Sequence, residues 1–323
     1  MRGSKIQRTH RIIARVPRGQ VGDECPGCGN LIRLRERGAG NGGIVATVIG
    51  QSGAWRAIAN DIAARGHTVT SPRDLVLCLA YLKETRQAAI DAHRAYTMRA
   101  VQDHSARIAH LSSEPRWLRR FLNGFEIASL RSTVSALYAT DSQYPGRLDQ
   151  TIRRVEGLLG SAELAGAAAE LEVIDQLRLL PDSFTVFNDV RLRATRHIYF
   201  DGASIKSAQL DHVVVGPNGV FVVETKHWSR RFVESGDYHN PFDQARRANY
   251  LCFDLLRQRF GKTPVRGVIA CLGSLPPSPD ENFLKVVRSE RLCGHITNSG
   301  KTEFGPERTA QLREFFAARV TSA

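Results

Sequence analysis

The chain has 323 residues, 42% of them hydrophobic, enough to bury the core of one large domain or two ordinary ones. No apolar run approaches the ~18 residues of a membrane helix, and the basic N-terminus lacks the apolar stretch and cleavage site of a signal peptide, so a cytoplasmic protein without a membrane partner is expected. The net charge of +13 is uneven: residues 1–40 hold nine Lys/Arg against three Asp/Glu, residues 41–160 fifteen against ten, and residues 161–323 twenty-one against nineteen. Such an excess suits a polyanionic partner, a merely soluble basic surface being the alternative.

Residues 1–43 read as a basic, poorly ordered arm ending in Gly-Ala-Gly-Asn-Gly-Gly. Within it, Cys25-Pro-Gly-Cys28 resembles half of a zinc knuckle, but structural zinc takes four ligands. No second C-x-x-C follows, so His10, His67, Cys78 or a second subunit would have to complete the site; a plain turn is the other reading. The remaining cysteines are scattered, which predicts thiols rather than a disulfide framework. The run 38–43 matches G-x-G-x-x-G without a strand before it or a helix opening after it, and Gly50-Gln51-Ser52-Gly53 lacks the lysine of a phosphate-binding loop.

Residues 44–146 are expected to form a helical N-terminal region. A short strand and turn, GIVATVIGQSG, leads into a helix with apolar spacing at Trp55, Ile58, Ile62 and Ala63. Between Arg73 and Glu114 there is neither Gly nor Pro, and Ile90, Thr97, Val101, His104, Ile108 and Leu111 recur at three and four residues. That predicts a long amphipathic helix with a weak, polar seam, suited to pairing with another helix, hence to a homo-oligomer or a protein partner. Its histidines, His93, His104 and His110, fit a solvated or paired face better than a metal. Pro115, Gly124 and Pro145-Gly146 are expected to punctuate further helices.

From about residue 147 to 323 an α/β domain is predicted, opening with helix up to Pro181-Asp182. TVFNDVRL, SAQLDHVVVG, GVFVVETKHW and VRGVIACLG read as strands. Asn240 and Pro241 start a helix through Phe260, and GPERTAQLREFFAARV closes the chain as another.

The pair around Gly216-Pro217-Asn218-Gly219 is apolar at nearly every position, the mark of strands covered on both faces. With a two-residue loop, Val215 faces Val220, Val213 faces Val222 and Asp211 faces Glu224, while Lys226 shares the face of Glu224. A bulge at Gly219 would instead set Asp211 against Thr225. Carboxylates facing one another destabilise a sheet, and burying one unpaired costs more. A divalent cation with hard oxygen ligands, with Lys226 beside it, would compensate.

Asp211, a hairpin, then Glu224-Thr225-Lys226 resembles the signature of PD-(D/E)xK nucleases, and in detail the nuclease-related domain, NERD. The resemblance rests on AGAAAE ending at Glu170, LDHVVVGPNGVFVVETKHW, and NPFDQ with Gln244, and spans about residues 160–275. Ala169 stands where that family usually has Gly, and the segment between Trp228 and Asn240 is short. The resemblance implies a restriction-endonuclease-like mixed sheet flanked by helices. It also implies a metal-dependent nuclease acting on nucleic acid, DNA before RNA, in prokaryotic defence or mobile-element biology. Asp211 and Glu224 would bind Mg²⁺ or Mn²⁺ and Glu170 would complete or support the shell. Lys226 would orient or activate the attacking water, and Gln244 would steady the lysine or the water. Taken singly, Glu170 and Gln244 read as well as solvated helix residues. His212 and His227 fall on the opposite strand face and read as packing residues, and Trp228 as core or rim. A catalytically inactive nucleic-acid-binding protein on the same scaffold is the alternative function.

Overall fold

Short apolar runs bounded by turns assemble into a mixed sheet of six strands in the order β1 to β6. These are β1 Thr47–Ile49, β2 Thr185–Phe200, β3 Ala203–Gly216, β4 Gly219–Trp228, β5 Val265–Gly273 and β6 Leu284–Arg288. β2, β3 and β4 are antiparallel neighbours, whereas β1 joins β2, β5 joins β4 and β6 joins β5 in parallel. The helices are α1 Gly53–Ala64, α2 Pro72–Ser112, α3 Trp117–Leu159, α4 Ala162–Leu177, α5 Arg230–Ser235, α6 Pro241–Phe260, α7 Leu292–Asn298 and α8 Pro306–Ala317. This computed structural model describes residues 45–115, 117–235, 241–276 and 283–321; the arm with Cys25 and Cys28 lies outside them, as does Asn240. Among the described residues no helix is long and apolar enough to cross a membrane.

The β3–β4 hairpin takes the two-residue loop. Gly216 pairs with Gly219, Val215 with Val220, Val213 with Val222 and His212 with Val223. Gly219 sits at φ 138°, a backbone conformation that L side chains rarely adopt. The register shifted by a bulge is not used. Strand parity then divides the side chains. Val213, Val215, Val220 and Val222 pack with Ala248, Leu251 and Leu256 of α6 and with Leu312 and Phe316 of α8. Val214, Phe221 and Val223 pack with Ala169, Val173 and Leu177 of α4 and with Leu292 and Ile296 of α7. Both faces of the sheet are covered, which is why these strands alternate so little in polarity.

Residues 62–160 form a compact unit separate from that of residues 45–61 and 161–321. In the former, α2 opens with a capping box: Asp74 N–H donates to Ser71 Oγ and Ser71 N–H donates to Asp74 Oδ2. α2 and α3 run antiparallel, joined by Lys83–Glu156, Arg86–Asp149 and Arg107–Glu126 ion pairs at 2.6, 2.6 and 3.0 Å. His93 stacks on Tyr144 with ring centroids 4.0 Å apart, as befits a paired face.

Two expectations change. α3 does not break at Gly124 or Pro145-Gly146; Pro145 lies inside it. The helix runs on because α3 is paired with α2 along its length, with contacts on both sides of the proline, Arg94 with Asp141 and Arg86 with Asp149. The α/β unit also reaches back past residue 147, because β1 pairs with β2 (Thr47 with Thr185, Ile49 with Phe187) and brings residues 45–61 with it.

Phe221 is fully buried between α4 and the sheet, with the Arg266 guanidinium over its ring at 5.6 Å. Phe221→Ala should cost about 3–5 kcal/mol, read as a lower urea midpoint for the tertiary signal of the sheet unit.

Candidate active site

β3 and β4 end together away from their turn, and this is where the charges gather. The paired register runs to His212–Val223, the residues next to Asp211 and Glu224. Asp211 is half-buried, and its Oδ2 accepts the Thr225 backbone N–H at 2.8 Å. Glu224 is buried, 4% exposed, and Lys226 Nζ donates to its Oε1 at 2.7 Å. Glu170, on α4, accepts from Ser52 Oγ at 2.7 Å and from Ala54 N–H at 3.3 Å, both through Oε2.

The electrostatics show that these carboxylates share one field. Burial pushes the Asp211 carboxyl well above the usual range; the Glu224 and Glu170 carboxylates add to this, against the Thr225 N–H and Lys226. Burial also raises Glu170, with Asp189 and Glu224 adding to it, while the Ser52 hydroxyl and Ala54 N–H oppose the rise. One ammonium, Lys226, stands against three carboxylates.

On the other face of the same strands lies an uncharged chain. Asn188 Nδ2 donates to the Gly50 carbonyl at 3.2 Å, which turns Asn188 Oδ1 toward His212 Nδ1 at 2.8 Å. Nδ1 therefore carries the proton, and Nε2 accepts from Thr225 Oγ1 at 3.0 Å. Burial holds the imidazole neutral, its pKa pushed down to about 3. His212 thus fixes Thr225, the residue between Glu224 and Lys226. His227, by contrast, is exposed and packs in no core, the α6 cluster around Trp228 lying on the opposite strand face. Trp228 is buried in a small cluster with Ala245, Ile269 and Cys271.

The structure thus brings Asp211, Glu224, Lys226 and Glu170 together. Gln244 lies exposed on α6, and no hydrogen bond joins it to the carboxylates. Sequence reasoning missed Ser52, Asn188 and Asp189, which act from the turn between β1 and α1 and from β2. Ser52 stands three residues before the Trp55 N–H that it caps, a helix-start spacing that was legible.

Among the described residues, no group of three or more His, Cys, Asp or Glu side chains is arranged to hold a metal ion. The donor chemistry nevertheless fits a hard divalent cation. Mg²⁺ is commonly held by one or two carboxylates, with waters and substrate phosphates as its other ligands. Asp211 and Glu224 supply such a pair, with Glu170 in the same field. Cys78 is buried and His67 half-exposed; Cys25 and Cys28, with which either would complete a zinc site, lie outside the described residues.

A mixed sheet with helices on both faces and an acidic pair followed by lysine at the end of a hairpin define an α/β fold of nuclease-like form. Residues 165–271 match the family model described as the nuclease-related domain, NERD. The match takes in Glu170, Asp211, Glu224, Lys226 and Gln244, about a third of the chain, and leaves out β1, α1 and the helical hairpin. No curated protein and no solved structure gives a significant match.

The raised pKa of Asp211 has a consequence for stability. The folded state holds this proton more tightly than the unfolded chain, so the stabilisation is full in acid and is lost as pH rises through the folded pKa. Asp211→Asn keeps an acceptor for the Thr225 N–H and removes the charge. In EDTA at neutral pH it should melt at a higher temperature than the parent, and the gain should shrink as the pH is lowered.

Proposed function

We propose that the protein is a metal-dependent nuclease that hydrolyses phosphodiester bonds, with DNA the favoured substrate. The observation that carries this reading is the grouping of Asp211, Glu224 and Lys226 at one end of the hairpin, with Glu170 in the same field, inside a nuclease-related match. Asp211 and Glu224 would hold Mg²⁺ or Mn²⁺, with Glu170 completing or supporting the shell. Such a cation, when bound, lowers the pKa of a bound water and stabilises charge developing on the phosphate.

The protein's own groups do the rest. The Thr225 N–H orients the Asp211 carboxylate. Lys226 is only partly buried and is held at the edge of Glu224, placed to orient a water and to offset phosphate charge. Gln244, exposed on α6, takes the accessory role of steadying the lysine or the water.

The excess positive charge lies in the arm and the helical hairpin, while residues 161–323 are nearly neutral. The basic regions are therefore assigned the job of holding long nucleic acid. A setting in prokaryotic defence or mobile-element biology, which the resemblance to that family suggests, completes the proposal.

The test is incubation with linear, circular and single-stranded DNA, and with RNA, in Mg²⁺, Mn²⁺ or EDTA. Cation-dependent cleavage supports the proposal; binding without cleavage under every condition favours the inactive scaffold. Glu224→Ala should abolish both cleavage and the rise in melting temperature caused by Mg²⁺ or Mn²⁺. Lys226→Ala should slow cleavage by roughly 100-fold or more, the scale of losing a preorganised electrostatic group, with substrate binding retained.

Arg99, Arg119 and Arg131 are exposed on α2 and α3. Replacing all three with Ala should weaken binding of long DNA and flatten its salt dependence by about 0.9 in log–log slope for each phosphate that is no longer neutralised. Cleavage of short oligonucleotides at saturation should hold. Unchanged slope and affinity in fluorescence anisotropy would instead leave the hairpin to oligomerisation or a protein partner.

A further inference from the structure

The segment Gly50-Gln51-Ser52-Gly53-Ala54-Trp55-Arg56 lies more than a hundred residues before the nuclease-related match, yet most of its polar groups end on residues of the site or their neighbours. The Gly50 carbonyl accepts from Asn188. Ser52 is fully buried; its hydroxyl donates to Glu170 Oε2 and accepts from Trp55 N–H at 3.0 Å. Ala54 N–H donates to the same Glu170 oxygen. The Arg56 guanidinium pairs with Asp189 and donates to the Thr321 carbonyl at 2.5 Å.

Asp189 is itself unusual. It is 1% exposed, it sits at φ 53° within β2, and Gln209 also donates to its carboxylate. Thr321 caps the Asp189 carbonyl through both its N–H and its hydroxyl. A Cβ on Gly53 would stand 2.8 Å from Asp189 Oδ1, so glycine is what lets α1 approach this closely. A buried aspartate held in a strained backbone conformation by an arginine, a glutamine and the chain's C-terminal segment serves as an anchor, and what it anchors is the first turn of α1.

We propose that residues 50–56 are a buttress for the catalytic carboxylates, with Ser52 as a positioning residue. Ser52 and the first turn of α1 grip Glu170 by Oε2, the carboxylate whose charge Asp211 feels, and the Arg56–Asp189 ion pair fixes that turn in place. The buttress rests on the nuclease reading and extends the site beyond the matched segment.

Ser52 also caps α1, so loss of the hydroxyl must be separated from loss of the cap. The full-length parent is compared with Ser52→Ala, Ser52→Thr, Glu170→Ala and the Ser52→Ala/Glu170→Ala double variant. Labelled linear DNA, and RNA of the same sequence, serve as substrates with Mg²⁺. Melting temperatures are taken with and without Mg²⁺. Ser52→Ala should lower kcat roughly 10- to 100-fold with KM little changed, the usual scale for a group that orients a metal-site ligand. Ser52→Thr should restore most of it. In the Glu170→Ala background, Ser52→Ala should leave kcat where it was and still lower the metal-free melting temperature, since the cap is lost in both. The Mg²⁺-induced rise in melting temperature should shrink in Ser52→Ala and return in Ser52→Thr.

A Ser52→Ala protein with the parent's kcat, or with a loss that multiplies that of Glu170→Ala, overturns the buttress and leaves Ser52 a plain helix cap. A parent that neither cleaves these substrates nor gains stability from Mg²⁺ overturns the nuclease reading itself. An active parent beside an unaffected Ser52→Ala overturns only the buttress.

Discussion

Like charge held inside a fold is the constraint on which the rest of this structure depends. Glu224 and Glu170 raise the cost of ionising Asp211, Glu224 and Asp189 that of ionising Glu170, and the Lys226 ammonium answers at Glu224. Nothing in the folding of a valine-rich hairpin requires this; apolar residues at the same positions would pair more favourably. A site that is a liability to the bare fold survives only where its surroundings are over-determined. The surroundings here meet that condition: two cores clamp the hairpin from both faces, and its turn is pinned by Arg266, which donates to the Asn218 carbonyl at 2.6 Å.

Strand parity makes the arrangement workable. Charged groups occupy one face at the end of β3 and β4, and the facing polar positions are uncharged: Asn188, His212 and Thr225 satisfy one another completely. A protonated imidazole there would compete with Lys226 for the carboxylates and would need an acceptor that Thr225 does not offer in this arrangement. Neutral His212, donating through Nδ1 and accepting at Nε2, avoids both. The backbone between Glu224 and Lys226 is thus held from behind by hydrogen bonds that do not alter the charge in front.

What could be read from the sequence was what is local. The bounds of β4, β5 and α6 and the two-residue turn follow from short apolar runs, turn residues and cap signals within some twenty residues. Pairings that join distant parts of the chain left no such trace. β1 is three residues long and pairs with a strand 138 positions later, as Thr47 with Thr185. Ser52 and Glu170 are 118 residues apart. The extension of β2 through Phe200 and the start of β3 at Ala203 also went unread, although Asp201-Gly202, both at positive φ, is the turn pair that such a ribbon calls for. The alternation of that ribbon, Val190, Leu192 and Ala194 inward and then Ile198, is broken where the pairing with β3 shifts register between Arg193 and Ile198. Pro145 misled in the opposite sense, because its local preference is overridden by the pairing of α3 with α2 on both sides of it.

The placement of β1 and α1 changes what the helical hairpin is. It is not an N-terminal domain followed by a nuclease-like one; it is an excursion from the α/β unit, leaving after α1 and returning before α4. Antiparallel helices make such an excursion cheap for the host, since the chain leaves and returns at neighbouring points: Lys83 near the start of α2 meets Glu156 near the end of α3. The insertion can therefore vary in length or surface charge without altering the strands that carry Asp211 and Glu224, as is usual for excursions whose ends lie close together. Its surface also makes few demands of its own, with Trp117 and Phe125 79% and 81% exposed and a sparse buried seam. The acidic site, by contrast, rests on a buried and nearly neutral scaffold, where residues 161–323 hold twenty-one Lys/Arg against nineteen Asp/Glu.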